Sequence, residues 1–321
     1  MTLSLESKIY VAGHRGLAGS AIVRELQRQG YTNLVTRTHA ELDLEDAAAT
    51  QRFFKQEKPE IVFLAAAKVG GIHANNSYPV DFLMSNLLVE ASVCSAAHSV
   101  GVDRLIFLGS SCIYPRDCPQ PIREEYLLTG PLEATNRPYA LAKIAGVEMC
   151  WSYNRQYGTK WLAAMPTNLY GPGDNYDLGS SHVLPALIRK MHEAKISGAA
   201  EVVLWGSGKP KREFLYVDDL ANALVFLATL DDERYNTLVA PSQCPMINIG
   251  SGTDLTIREL AETVAAVVGY KGKFVQDTSR PDGTMRKVMD VSKMHGLGWK
   301  ATTSLKQGIT MTYKIFCETQ S

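Results

Sequence analysis

The sequence is short of several things that decide what a chain does. It has no excess of charge: Lys plus Arg and Asp plus Glu each number 33. No global field therefore draws it to nucleic acid or to an anionic membrane, and an anionic ligand has to be held by local groups. Cysteine is sparse, with six residues (94, 112, 118, 150, 244 and 317) and no C-x-x-C pair. That argues against a disulfide framework or a zinc cage, and predicts reduced thiols and no bound metal. No segment approaches the roughly 18 uninterrupted apolar residues of a membrane span, and the opening MTLSLESKIYVAG has no basic stretch ahead of an apolar run. Both absences predict a cytoplasmic protein that spans no membrane. Repeats and low-complexity tracts are missing too, while 45% of the 321 residues are hydrophobic, enough to bury one large core or two moderate ones.

What is present is a regular alternation. Up to about residue 170, β-rich apolar runs are followed by helical patterns: KIYVAG then SAIVRELQRQG, NLVTR then AAATQRFFKQEK, EIVFLAAA then VDFLMSNLLVEASVCSAAHSVG, RLIFLG then YALAKIAGVEMCWSYNRQYG, and last KWLAAMP. Five strands with intervening helices predict a parallel sheet covered on both faces. After PTNLYGPG, the turn-rich stretches GPGDNYDLGSS, GSGKPKREF and TSRPDGTMRK separate shorter elements, whereas FLYVDDLANALVFLATL and MINIG are apolar enough to rejoin the first domain. The expected fold class is α/β: a Rossmann doubly wound parallel sheet with a smaller C-terminal α/β substrate-binding domain. The expected boundaries are 1–169 with 213–250 for the first and 170–212 with 251–321 for the second.

Gly13, Gly16 and Gly19 follow the first strand and open the first helix. Such a turn lets the backbone approach a pyrophosphate, whose charge the N–H groups and dipole of the helix N-terminus stabilise. A lone glycine triplet is weak evidence; this position between strand and helix makes it a dinucleotide site. An acidic residue at the end of the second strand suits a ribose 2′-hydroxyl, and here NLVTRTHAELDL offers Arg37 and His39, with Arg15 in the glycine loop. Two arginines make a 2′-phosphate pocket and favour NADP(H) over NAD. Asp43 is placed either to hydrogen-bond the adenine amino group or to cap the next helix.

Tyr139 and Lys143, four apart at the start of a helix, share one face. That spacing suits a phenol donating a proton, with the ammonium lowering its pKa and holding the nicotinamide ribose. Spacing alone is nearly worthless; the strand ending in Ser110–Ser111 gives it weight, because a serine there reaches the same substrate oxygen.

GHRGLAG, Ser110 with Tyr139-x-x-x-Lys143, and PTNLYGP resemble the extended short-chain dehydrogenase/reductase family, whose members act largely on nucleotide sugars. Within it, AAAKVGGIHANN (65–76), GSSCIYP (109–115), NLYGPGDNYDLGSSHVLPALIRK (168–190) and WGSGKPKREFLYVDD (205–219) look like the epimerase-reductases of GDP-4-keto-6-deoxy-D-mannose. The likeness runs from about residue 8 to the end. It implies NADPH as reductant, two epimerisations before one hydride transfer, and a homodimer built through a four-helix bundle. It also implies cofactor contacts at His14, Leu17, Ala18, Leu108, Gly109, Ser110, Ser111, Pro166, Thr167, Asn168, Leu169 and His182, beside the glycines, Arg15, Arg37, Asp43, Tyr139 and Lys143. Lys190, Trp205, Arg212 and Asp282 match the family's nucleotide-sugar contacts. One departure is His39, where family members often carry a second arginine.

In a 4-keto sugar the C–H bonds at C3 and C5 are both α to the carbonyl, and inverting either needs a base on one face and an acid on the other. Cys112 lies two residues after Ser110, so an extended segment would aim both side chains into one site. By the resemblance, Cys112 is the base and His182 the acid; on the residues alone Cys112 is better read as a buried filler. A nucleotide-sugar 4-epimerase or 4,6-dehydratase stays an alternative, although dehydratases have an acidic residue where Ser111 and Cys112 stand. So does a catalytically inactive dinucleotide-binding regulator.

Overall fold

The structure, a computed structural model, describes residues 3–279 and 282–320. The first two residues, Arg280 and Pro281 of the TSRPDGTMRK stretch, and Ser321 lie outside the described residues.

The alternation read from the sequence is realised as β1 (Ile9–Ala12), α1 (Leu17–Arg28), β2 (Leu34–Val35), α2 (Ala47–Glu57), β3 (Ile61–Leu64), α3 (Ile72–Ser77), α4 (Pro79–Ser99), β4 (Arg104–Leu108), α5 (Arg137–Tyr157) and β5 (Lys160–Pro166). The second half comprises β6 (Asn168–Tyr170), α6 (Val183–Ser197), β7 (Glu201–Trp205), β8 (Lys211–Tyr216), α7 (Val217–Thr229), α8 (Asp232–Leu238) and β9 (Met246–Ile249). It ends with β10 (Asp254–Thr256), α9 (Ile257–Val268), β11 (Lys273–Asp277), β12 (Arg286–Lys287), α10 (Ser292–Gly296) and α11 (Leu305–Gln320).

One sheet has the order β2-β1-β3-β4-β5-β9, every pair parallel. Its residues alternate between two buried faces. Ile9, Val11, Phe63, Ile106 and Leu162 pack on α1 and α7, while Tyr10, Ala12, Leu64, Phe107 and Trp161 pack on α2, α4 and α5. A sheet buried on both sides reads as continuous apolar runs, which is why its strands were legible. Strand order reverses between β1 and β3, and in open α/β sheets ligands bind beyond the carboxyl ends at such a point.

The smaller unit holds β8 between β10 and β12, with β6 also paired to β8 and with β7 paired to β11. Its core lies among α6, α9 and α11. The doubly wound class with a smaller α/β unit is as predicted. MINIG returns to the first sheet as β9, but FLYVDDLANALVFLATL divides: its strand half stays with the second sheet and only α7 packs back on α1. β8 is held there by its ladders to β6, β10 and β12 and by Glu213, buried within it. Its carboxylate accepts the Gly252 N–H at 2.7 Å and the Met289 N–H at 2.8 Å, while its carbonyl accepts the Asn168 amide at 2.8 Å.

Helix α4 is long and apolar enough by composition to cross a membrane. Here it lies against α2 and α5, with Phe82, Asn86, Glu90, Val93 and Cys94 buried. Val80, Met84 and Leu88, one turn apart, are exposed, as is Leu141 on α5.

Candidate active site

The glycine turn is built for close approach. A Cβ on Gly19 would sit 2.1 Å from the Gly13 carbonyl oxygen, and one on Gly13 (φ +82°) would lie 2.7 Å from the Ala66 nitrogen. No side chain caps α1 at Gly16, and the His14 Nδ1 is buried without a hydrogen-bond partner among the described residues. An uncapped helix end beside an unpartnered imidazole nitrogen fits a phosphate-bearing dinucleotide. Leu17 and Ala18 form the helix's first turn here.

The 2′-phosphate end is less open than expected. β2 stops at Val35, and Arg37 beyond it donates to Glu57 Oε1 at 2.7 Å and to the Thr36 carbonyl at 2.8 Å, with its guanidinium over the Phe53 ring. Arg15 is exposed. His39, also exposed, lies 3.7 Å from Asp43. Asp43 does not cap α2: Asp46 does, accepting the Ala49 N–H at 2.9 Å, because it is the residue directly before the first helical turn.

Beyond β4, Leu108 and Gly109 lead to Ser110, and Ser111–Ile113 turns as a short 3-10 helix. The extended geometry expected for Ser110 and Cys112 is therefore replaced by a capped turn, in which Ser110 Oγ accepts the Cys112 N–H at 3.2 Å. Ser111 is buried. The cysteine is still directed into the site. Asn136 Nδ2 donates to its sulfur at 3.3 Å, and Lys287 Nζ lies 3.8 Å from it. Arg212, the Cα partner of Lys287 across β8 and β12, is close enough to feel the sulfur's charge.

Tyr139 stands at the start of α5 beside this turn. Burial pushes its phenol well above the usual tyrosine value, the charges of Cys112 and Glu90 push the same way, and hydrogen bonding with Ser110 opposes them. The expected lowering by Lys143 is not what the geometry gives. The buried Lys143 ammonium lies 5.9 Å from the Tyr139 ring centre and donates instead to Glu90 Oε1 of α4 at 3.1 Å. His182 precedes α6, and the loop before it is fastened by the Gly71 N–H donating to the Ser180 carbonyl at 3.0 Å. Surrounding protein foremost, then the charge of Lys287, lowers the imidazole below the ordinary histidine value, although the side chain remains reachable by solvent. Pro166 ends β5, Thr167 is buried, and Asn168 and Leu169 begin β6 on the far side of the same strand ends.

The remaining residues form a second cluster. Lys190 Nζ stands over the exposed Trp205 indole at 4.9 Å from its centre, and burial lowers its pKa. Asp282 accepts the Ser207 N–H at 2.7 Å and the Ser207 hydroxyl at 2.8 Å, which fixes the turn after Trp205. Arg212 also feels the Asp282 charge, and desolvation lowers its pKa. Asn136, Lys287, Glu90 and Glu213 were not singled out from sequence. Asn136 alone had a usable signal, three residues before Tyr139 and so on the same helix face.

A family model described as the NAD dependent epimerase/dehydratase family matches residues 9–239. The chain is 58% identical over 307 residues to GDP-L-fucose synthase 1 of Arabidopsis thaliana, covering 96% of this chain and 92% of that protein. It is 52% identical over 315 residues to GDP-L-fucose synthase of Escherichia coli (strain K12), covering 98% of each. A GDP-L-fucose synthetase from Naegleria fowleri bound to NADP has a similar structure, with a TM-score of 0.87 at 28% identity over 100% of this chain and 97% of that one.

Proposed function

The chain belongs to the NAD dependent epimerase/dehydratase family, and from that premise we infer that it is a GDP-L-fucose synthase, using NADP(H) to convert GDP-4-keto-6-deoxymannose to GDP-L-fucose. The observation that carries the reading is the thiol: Cys112, with Asn136 and Lys287 at its sulfur, adjoins the Ser110–Tyr139 pair. A simple reductase needs no second proton-moving group there.

Cys112 acts as the base. Its sulfur, with the Lys287 ammonium 3.8 Å away, takes the proton from C3 or C5. Electron density moves to the C4 carbonyl oxygen, where Ser110 and Tyr139 hydrogen-bond the enolate. His182 returns a proton on the opposite face and inverts the centre; once solvent has taken the proton from Cys112 and given one to the exposed His182, the cycle repeats at the other carbon. NADPH, when bound, supplies the hydride that reduces C4. Tyr139 gives its proton to the resulting O4 alkoxide. The glycine turn, His14, Arg15 and Arg37 hold the dinucleotide, while Lys190, Trp205, Arg212 and Asp282 grip the nucleotide sugar, with segment 170–212 and residues 251–321 as the substrate-binding domain. Two copies pair through α4 and α5, whose exposed Val80, Met84, Leu88 and Leu141 supply an apolar stripe for a four-helix interface.

The test separates the two chemistries. In heavy water without NADPH, the intact protein should exchange the sugar hydrogens at C3 and C5, as read by NMR. Cys112→Ser should slow that exchange by at least about 100-fold, the usual worth of a positioned base. Tyr139→Phe should keep most of the exchange and lose reduction. Exchange at the wild-type rate in Cys112→Ser would falsify the thiol's role.

A further inference from the structure

Glu90 is a buried carboxylate that the reaction as described leaves idle. It lies in the middle of α4, where it faces α5 at the densest helix–helix contact in the molecule. Its Oε1 receives the Lys143 ammonium at 3.1 Å, with the two side chains only 1% and 2% exposed. Its Oε2 has no hydrogen-bond partner among the described residues. Lys143 is otherwise flanked by rings, its Nζ standing 4.7 Å from the centre of Phe107 and 5.9 Å from that of Tyr139. The niche exists because residue 146, one turn along α5 from Lys143, is glycine. A Cβ there would sit 2.3 Å from the Phe107 ring and 2.9 Å from Glu90 Oε2.

We propose that Glu90 is the positioning residue of the reduction step: its carboxylate anchors the Lys143 ammonium beside Tyr139 and offsets its charge, so that Tyr139 waits as a phenol ready to give its proton. The inference rests on the assignment of Tyr139 as proton donor. An unaccompanied buried cation next to a phenol favours tyrosinate, which is a base and suits removal of a proton from an alcohol. Reduction of a ketone needs the opposite, a phenol that stays protonated until an alkoxide forms. The groups facing Glu90 are few. On α4 there is Cys94; on α5 there are Lys143, Cys150 and Tyr139; β4 contributes only the Phe107 ring. Burial keeps both thiols neutral, raising Cys94 to about 12 and Cys150 well above the usual thiol value, so Lys143 is the only cation among these groups. The negative charge of Glu90 is also among the causes that hold the Tyr139 phenol up.

The consequence is a movable pH limb. Reduction requires protonated Tyr139, so its rate falls as pH rises through that group's pKa. Glu90→Gln keeps the shape, removes the charge and leaves Lys143 uncompensated. NADPH oxidation, followed from about pH 6 to about pH 10, should stay level at the alkaline end in the wild type, whose phenol is held above that range, and should fall there in Glu90→Gln as the limb moves down into it. The ratio of reduction rate to deuterium-exchange rate should fall with it. Glu90→Asp, with the carboxylate drawn back by one methylene, should move the limb in the same direction but less far. A limb that stays at its wild-type position in whichever variant folds overturns the proposal, as does a parallel fall of reduction and exchange. Tyr139→Phe run alongside separates the failures. If it reduces at the wild-type rate, the donor assignment itself is wrong; if it is inactive while the Glu90 variants keep the wild-type limb, only Glu90 has been misread.

Discussion

Arg37 shows how a single side chain can be correctly picked out and still be differently employed. It stands two residues past β2, as a 2′-phosphate ligand should, yet its guanidinium is pinned by Glu57 at 2.7 Å. The pair holds the guanidinium in place but halves its appeal to an anion, because the carboxylate offsets its charge. Arg37→Ala should therefore weaken NADPH by about 10-fold, near the low end of a charge-assisted contact of roughly 1.5–3 kcal/mol, and leave NADH almost unchanged. Competition binding of the two cofactors measures this; equal losses for both would show that Arg37 merely packs on Phe53. The proposed roles of the glycines, Ser110, Tyr139 and Lys143 came from strand ends and helix starts that the hydrophobic pattern located, whereas Cys112 was singled out by the family resemblance. Glu90, Lys287 and Glu213 were not. A carboxylate inside an apolar helix and a lysine in a turn-rich segment take their meaning from partners 53, 175 and 39 positions away, and no local period reports such distances.

Among the elements, α4 is long and apolar enough by composition to cross a membrane, although Asp81, Asn86 and Glu90 interrupt its apolar run. The structure shows two sides, one buried on α2 and α5 and one exposing Val80, Met84 and Leu88. On the proposed pairing through α4 and α5, Leu88→Glu combined with Met84→Glu should leave only monomer in sedimentation at micromolar concentration, where the wild type should be a dimer, with the melting of each chain nearly unchanged; a dimer in that variant would move the interface elsewhere. A second contact, between α1 and α7, supplies a pH test. Glu25 accepts from Arg28 and Gln29 at 2.7 Å and from Asn222 of α7 at 2.8 Å. The Arg28 hydrogen bond foremost, with burial opposing, lowers its carboxyl from 4.5 to about 2. A carboxylate with a depressed folded-state pKa contributes stability above the unfolded value, and that stability is lost as pH falls from about 4.5 toward about 2. Glu25→Gln should melt lower than wild type at neutral pH and show a flatter acid dependence across that window. Parallel curves for the two proteins would remove Glu25 from the account.

At the scale of the whole molecule, the doubly wound half was written in buried strands, but the way the smaller unit attaches was not. The return of FLYVDDL looked continuous in sequence and is split in space: β8 pairs with β6, β10 and β12, and Glu213 within it collects backbone N–H groups from segments 39 and 76 positions downstream. The same unit delivers Lys287 and Arg212, paired across β12 and β8, to a sulfur that belongs to the other half. That arrangement has a consequence for the protein's chemical durability. Burial raises the thiols of Cys94, Cys118, Cys150 and Cys244 and so keeps them unreactive. Cys112, which is only half-buried and whose sulfur faces the Lys287 ammonium at 3.8 Å, is instead open to any electrophile that enters. Iodoacetamide should alkylate Cys112 ahead of those four, bound sugar nucleotide should shield it, and Lys287→Met should slow its labelling while leaving the four unchanged. The arrangement proposed to make Cys112 a base for carbon would thus also make it the place where an electrophile silences the enzyme first.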